Sequence, residues 1–70
     1  MKIKRLFGVD GDFVELTVDL EHETDLAYLV SIDGQQAWIP KSKIEDFDLI
    51  KGQTYKMIIP EWLAEKKELI

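Results

Sequence analysis

From Asp12 to Leu20 the chain reads DFVELTVDL. Val14, Leu16, Val18 and Leu20 fall on one side of an extended backbone, and Glu15, Thr17 and Asp19 fall on the other. Period-two alternation rich in β-branched residues predicts a strand with one face buried and one face in water. A chain of 70 residues without cysteine has no disulfide to hold such a strand in place. At this size folding buries only about 60% of the surface the unfolded chain exposes, so stability rests on a small apolar core. With 46% hydrophobic residues the chain has enough material for one core, in a single domain over residues 1–70.

The neighbouring segments supply partners for that strand. MKIKRLF alternates less cleanly, with Ile3 and Phe7 on one face and Arg5 between them, and GVDG suits a turn into the strand. Leu26–Asp33 places Tyr28, Val30 and Ile32 on one face and Ala27, Leu29 and Ser31 on the other. Asp33-Gly34 is a dipeptide that accepts the positive φ angles of a two-residue hairpin turn. Gln35–Pro40 returns as a fourth strand, ended by Pro40, which has no N–H for a ladder. KSKIEDFDLIKG reads as a loop with one short helical turn, anchored by Ile44, Phe47, Leu49 and Ile50. A turn at Lys51-Gly52 leads into a fifth strand over Gln53–Ile59.

In PEWLAEKKELI the period changes. Trp62, Leu63, Lys66, Leu69 and Ile70 recur at helical spacing, Pro60 suits a first helical position, and Glu61 and Lys66-Lys67 suit the two ends of a helix dipole. The expected fold is mainly β: a small five-stranded SH3-like or OB-like barrel, or a bent sheet, closed by a short C-terminal helix. Its core is expected from Val14, Leu16, Val18, Tyr28, Val30, Ile32, Ile39, Met57, Ile59, Trp62 and Leu63, with the helix laying Trp62, Leu63 and Leu69 on the sheet.

Charge is distributed unevenly. Lys2, Lys4 and Arg5 make the first five residues basic, no Lys or Arg then occurs until Lys41, and eight acids lie between Asp10 and Asp33. The start has no long apolar run, which argues against a signal peptide, and no stretch approaches the roughly 20 apolar residues of a membrane span. A soluble cytoplasmic protein is the expectation, and the lack of cysteine agrees with a reducing compartment.

No constellation for catalysis stands out. The single histidine, His22, sits among Glu21, Glu23 and Asp25 and reads as a solvated loop residue. HETD and EDFD lack the spacing and turn glycine of a calcium loop, and no glycine-rich phosphate loop is present. Neither an enzyme nor a cofactor or metal protein is expected.

Binding is the remaining class. The wet side of the second strand carries Phe13, Glu15, Thr17 and Asp19 and continues into Glu21, Glu23 and Asp25, a stripe able to steer a basic protein partner. The alternative is an accessory nucleic-acid module that uses Trp38, Lys41, Lys43 and Lys56 with Tyr55. The amino-terminal bases Lys2, Lys4 and Arg5 would join them if the first and fifth strands adjoin. Trp38 is either a lid over an open barrel end or an exposed contact. Pro40 ends its strand, Ser42 is placed to cap the following turn, and Ile44 re-anchors the chain.

Two short motifs carry a resemblance. Trp38, Pro40, Lys41, Ser42 and Ile44, followed by Glu61, Trp62, Leu63 and Ala64, resemble a Trp-x-Pro-Lys-Ser-x-Ile segment and a terminal Trp-containing helix. That pairing is found in small uncharacterised proteins and appended domains of bacteriophages and their hosts. The likeness covers about residues 23–70 and implies a phage or prophage setting in the host cytoplasm. In that setting the expected partner is a host or phage protein that the chain inhibits or modulates. The alternative is an accessory nucleic-acid-binding module of phage replication or recombination using the Trp38, Lys41 and Lys43 edge. The resemblance brings no catalytic residue with it. Glu68 stands where that family's helix ending calls for glycine.

Overall fold

A computed structural model of the chain describes residues 3–8 and 11–70, with the side chains of residues 3–8 and 11 outside the description. Six strands, a 3-10 turn and one short helix follow in order. They are β1 (Ile3–Gly8), β2 (Gly11–Glu23), β3 (Ala27–Ile32), β4 (Gln35–Pro40), the 3-10 turn Lys41–Lys43, β5 (Asp46–Lys51), β6 (Thr54–Pro60) and α1 (Glu61–Lys66). All pairings are antiparallel, the path through the sheet is β4-β3-β2-β6-β5, and β1 also pairs with β2. The fold is mainly β with a short C-terminal helix. The sheet is open and bent, not closed into a barrel.

β2 is 13 residues long and serves three neighbours. Val14 has Arg5 of β1 opposite it on one side and Ile59 of β6 on the other, and Asp19 has Ser31 of β3 and Thr54 of β6. β1 and β3 therefore share one side of β2 in succession, and β6 runs along the other. The inward side chains Val14, Leu16 and Val18 are almost wholly buried. Val30, Ile32, Ala37, Ile39, Met57 and Ile59 join them from β3, β4 and β6. Every buried residue among those described is apolar.

A bulge in β2 between Leu20 and His22 shifts the register against β3, and bulges bend the strand that carries them. The curl is measured by three rings. Phe47 of β5 stacks between Tyr28 of β3 and Tyr55 of β6, with centroids 4.4 and 4.3 Å apart. β3 and β5 are three strand steps apart, about 14 Å in a flat sheet, so the inner face must curve for their side chains to touch. These aromatics close the seam that a barrel would close with backbone hydrogen bonds.

The turns follow their residues. Asp33 (φ 50°) and Gly34 (φ 84°) both hold positive φ between paired Ile32 and Gln35, the pattern of a type I′ turn. Gly52 (φ 59°) turns β5 into β6. Between β2 and β3 the Thr24 amide donates to the Ala27 carbonyl at 2.9 Å and the Thr24 hydroxyl accepts from the Ala27 amide at 3.1 Å. Leu26 is left on the tip, 80% exposed.

Four expectations change. Asp46–Lys51 is a strand and not a loop, which raises the strand count by one. His22 lies within β2 and not in a loop. Pro60 is the last residue of β6, paired with Phe13, and caps the helix from outside instead of beginning it. Ser42 lies exposed inside the 3-10 turn, whose start has no side-chain cap. The expected turn at Val9-Asp10, with Lys2 and the side chains of Ile3, Lys4, Arg5 and Phe7, lies outside the described residues.

Trp62 is also corrected: it is 54% exposed, whereas Leu63 and Ala64 are buried. Successive helical residues are 100° apart, so a buried stripe centred between Leu63 and Ala64 leaves Trp62 about 150° away. Helix spacing counted Trp62 as apolar and passed over the small Ala64.

The helix ends in a Schellman motif. The Leu69 amide donates to the Ala64 carbonyl at 2.9 Å and the Glu68 amide to the Glu65 carbonyl at 3.0 Å, with Glu68 in the left-handed region at φ 60°. Leu69 and Ala64, both buried, make the apolar contact of that motif. A side chain at this φ costs about 1–2 kcal/mol, and glycine returns some of that gain as unfolded-chain entropy. Glu68→Gly should therefore stabilise the fold by about 0.5–1 kcal/mol in urea denaturation. Phe47→Ala removes two ring stacks at a half-buried site and should cost about 2–3 kcal/mol in the same assay.

Candidate protein-binding face

Residues that alternate with the core positions of β2, β6 and β5 form one outer face. In register, Glu15, Ile58 and Asp46 make one row across it, and Thr17, Lys56 and Asp48 make the next. Asp19, Thr54 and Lys51 make the third, and the Thr54 hydroxyl donates to Asp19 at 2.8 Å. Phe13 stands at the other end of the stripe, half-buried and paired with Pro60. Four carboxylates, Glu15, Asp19, Asp46 and Asp48, are thus gathered on a surface whose central cation is Lys56. The Lys56 ammonium lies 3.2 Å from both Asp46 and Asp48.

The hydrogen bond from Lys56, followed by one with Asp48, holds the Asp46 carboxyl below its usual 3.8. Hydrogen bonds to Asp46 and then to Asp48 hold Lys56 above its usual 10.5. The signs fix the pH window. Asp46 adds stability above the ordinary carboxylate range and loses it as pH falls through its lowered value. Lys56 adds stability below the ordinary lysine value and loses it as pH rises through its raised one. The group is intact across neutral pH.

The acidic stripe expected along β2 does not stay on one face. The bulge makes Glu21 the extra residue, and its carboxylate accepts from the Ser31 hydroxyl at 2.6 Å. His22 then takes the outward place opposite Leu29, with its ring edge on Trp38 at 6.1 Å. Glu23 falls opposite Tyr28, on the inner side, and pairs with Lys41 at 2.6 Å. Asp25 lies exposed in the β2–β3 turn. Phe13, Glu15 and Asp19 stay together, Glu21 adjoins them, and Glu23 and Asp25 turn away.

What the stripe loses at one end it gains across the sheet. Asp46 and Asp48 join it only because β5 is a strand. The signal was present in DFDL, where acids alternate with apolar residues at period two.

Among the described residues, those considered for nucleic acid do not form a groove. Trp38 is 42% exposed on the outer side of β4, and so is not a lid over a barrel end. Lys41 lies over the Tyr28 ring at 4.9 Å, and its hydrogen bond to Glu23 raises its pKa. Lys43 is exposed on the 3-10 turn, Lys56 is held between two aspartates, and Tyr55 is in the aromatic stack. β1 and β6 each pair with β2 on opposite sides of it, so the first strand and the fifth expected strand are not neighbours in the sheet.

Among the described residues no cluster of three or more His, Cys, Asp or Glu has metal-binding geometry, and no helix is long and apolar enough to cross a membrane. No protein-family model matches the chain, and neither a curated protein nor a solved structure matches it.

Removing the Lys56 ammonium should release Asp46. In Lys56→Met the Asp46 carboxyl is expected to titrate higher than in the parent, read by carbon-detected NMR, with Asp48 now its nearest charge. An unchanged titration would show that the lysine does not set it.

Proposed function

We propose that the protein is a non-enzymatic binding protein that occupies a basic patch on another protein with the outer face of β2, β6 and β5. One observation carries the reading: Glu15, Asp19, Asp46 and Asp48 are held on a single open sheet face around Lys56. Such a face draws a basic partner at long range and repels phosphate. A strand-borne array also keeps its charges at fixed spacing, so little order has to be gained on binding.

The likeness of the Trp38–Ile44 and Glu61–Ala64 segments to small phage proteins supplies the setting of the proposal. The partner would be a host or phage protein with a basic surface, inhibited or modulated by being covered. Among the described residues, two of the lysines that a nucleic-acid module would use, Lys41 and Lys56, already have acidic or aromatic partners within the chain.

The test is affinity capture from a bacterial lysate with the parent chain and with Glu15→Lys plus Asp19→Lys. Both side chains lie on the outer face, Glu15 half-buried and Asp19 exposed, so the fold should stay intact by circular dichroism, and the retained protein should be lost or should elute at much lower salt. Equal retention by the double variant removes the reading. A salt-sensitive oligonucleotide shift that disappears in Lys41→Glu with Lys43→Glu would replace it with nucleic-acid binding.

A further inference from the structure

β4 and β5 are the two ends of the sheet path, and among the described residues β5 pairs only with β6. Its other edge offers unpaired N–H and C=O groups, a template for an added strand. The side chains along it are sorted by face. Asp46 and Asp48 stand outward, and Phe47 lies inward in the aromatic stack. Leu49 and Ile50 are left 60% and 57% exposed. Edge strands are usually blunted by shortness, charge, bulges, proline or a covering element. β5 has charges at Asp46, Asp48 and Lys51 but no proline. Here two large aliphatic side chains remain in water beside an open backbone edge.

The occupant can be narrowed by charge. A second copy of β5 is a poor fit. Antiparallel pairing centred on Asp48 puts Asp48 against Asp48, and pairing centred on Phe47 puts Asp46 against Asp48 twice. The register between them opposes Asp48 to Phe47 and Asp46 to Leu49, joining the wet face of one sheet to the core face of the next. Registers that set Lys51 against one aspartate leave the other without a basic partner. A strand that complements β5 carries Lys or Arg at every second position, outward beside Asp46 and Asp48. Between them it carries apolar side chains that cover Leu49 and Ile50. β4, at the other end of the path, has Gln36 and Trp38 on its outer side and makes no such demand.

The geometry points to β5 as an acceptor edge for an extended segment of a partner protein in which basic and apolar residues alternate. The segment adds as a further strand to the sheet. This inference rests on the acidic-face reading and names how the basic partner is held: by main-chain hydrogen bonds for affinity and by alternate side chains for selection.

The experiment uses the intact chain and a synthetic peptide that alternates lysine with valine. One control peptide has the same composition with lysines and valines in two blocks. Another keeps the alternating order but carries N-methyl groups on the amides that would join the ladder. The alternating peptide should bind about tenfold more tightly than either control, a difference of about 1.4 kcal/mol. Amides from Asp46 to Ile50 should gain protection from hydrogen exchange on binding, and Asp46→Asn with Asp48→Asn should weaken it. If all three peptides bind alike without protecting β5, strand addition is wrong. In that case loss of binding in Glu15→Lys with Asp19→Lys leaves the acidic-face reading standing. If the alternating peptide does not bind, or if sedimentation shows two copies of the chain joined through β5, the inference also fails.

Discussion

The whole sheet depends on the inward side of β2. Val14, Leu16 and Val18 lie at the centre of the core, and the strand that bears them is paired with β1, β3 and β6 along its length. A short chain without disulfides cannot build two cores, so one strand is made long enough to belong to both halves of the sheet. It passes from β1 to β3 between Leu16 and Asp19, and the bulge between Leu20 and His22 then bends it along β3. Hydrophobic burial along one side of one strand fixes where every other strand can lie.

The outer surface is a consequence of that arrangement. Period-two geometry sends whatever is not buried to the other face. Because β2, β6 and β5 are adjacent, their leftover residues form rows of carboxylates with Lys56 among them. The ion pairs there are solvent-exposed and add little to stability. Their effect is on charge layout: Lys56 sits between Asp46 and Asp48 and leaves Glu15 and Asp19 to face outward. On the inner rim Glu23 and Lys41 satisfy each other over the Tyr28 ring. That edge is close to neutral, and the acidic face is not.

Much of this was legible in the residues. The alternation of β2 and β3, the Asp33-Gly34 turn and nine of the eleven expected core residues correspond to buried positions in the structure, with Tyr28 half-buried and Trp62 exposed. The misses have physical reasons. β5 is only six residues long, with two aspartates, and aspartate is depleted in strands, so composition outweighed period. The bulge that redirects Glu21, His22 and Glu23 has no glycine or proline to announce it. Trp62 was taken for a core residue by size, although the helix face is set by Ala64, which has almost no side chain to notice. Of the candidate face, Phe13, Glu15 and Asp19 could be read along one strand. Asp46 and Asp48 needed knowledge of which strands adjoin, and that is a long-range fact.

The aromatic stack that fastens β3 to β5 has a bearing on the opposite side of the sheet. Tyr28, Phe47 and Tyr55 act as a spacer of fixed thickness inside the curl. The width of the middle ring sets how tightly the sheet is rolled, and the roll sets how far apart the carboxylates on the convex side are carried. A residue that no partner on the outer face can touch therefore tunes the spacing of the charges such a partner meets. Change at position 47 is a way to alter the spacing of the outer charges while every residue of the outer face stays the same.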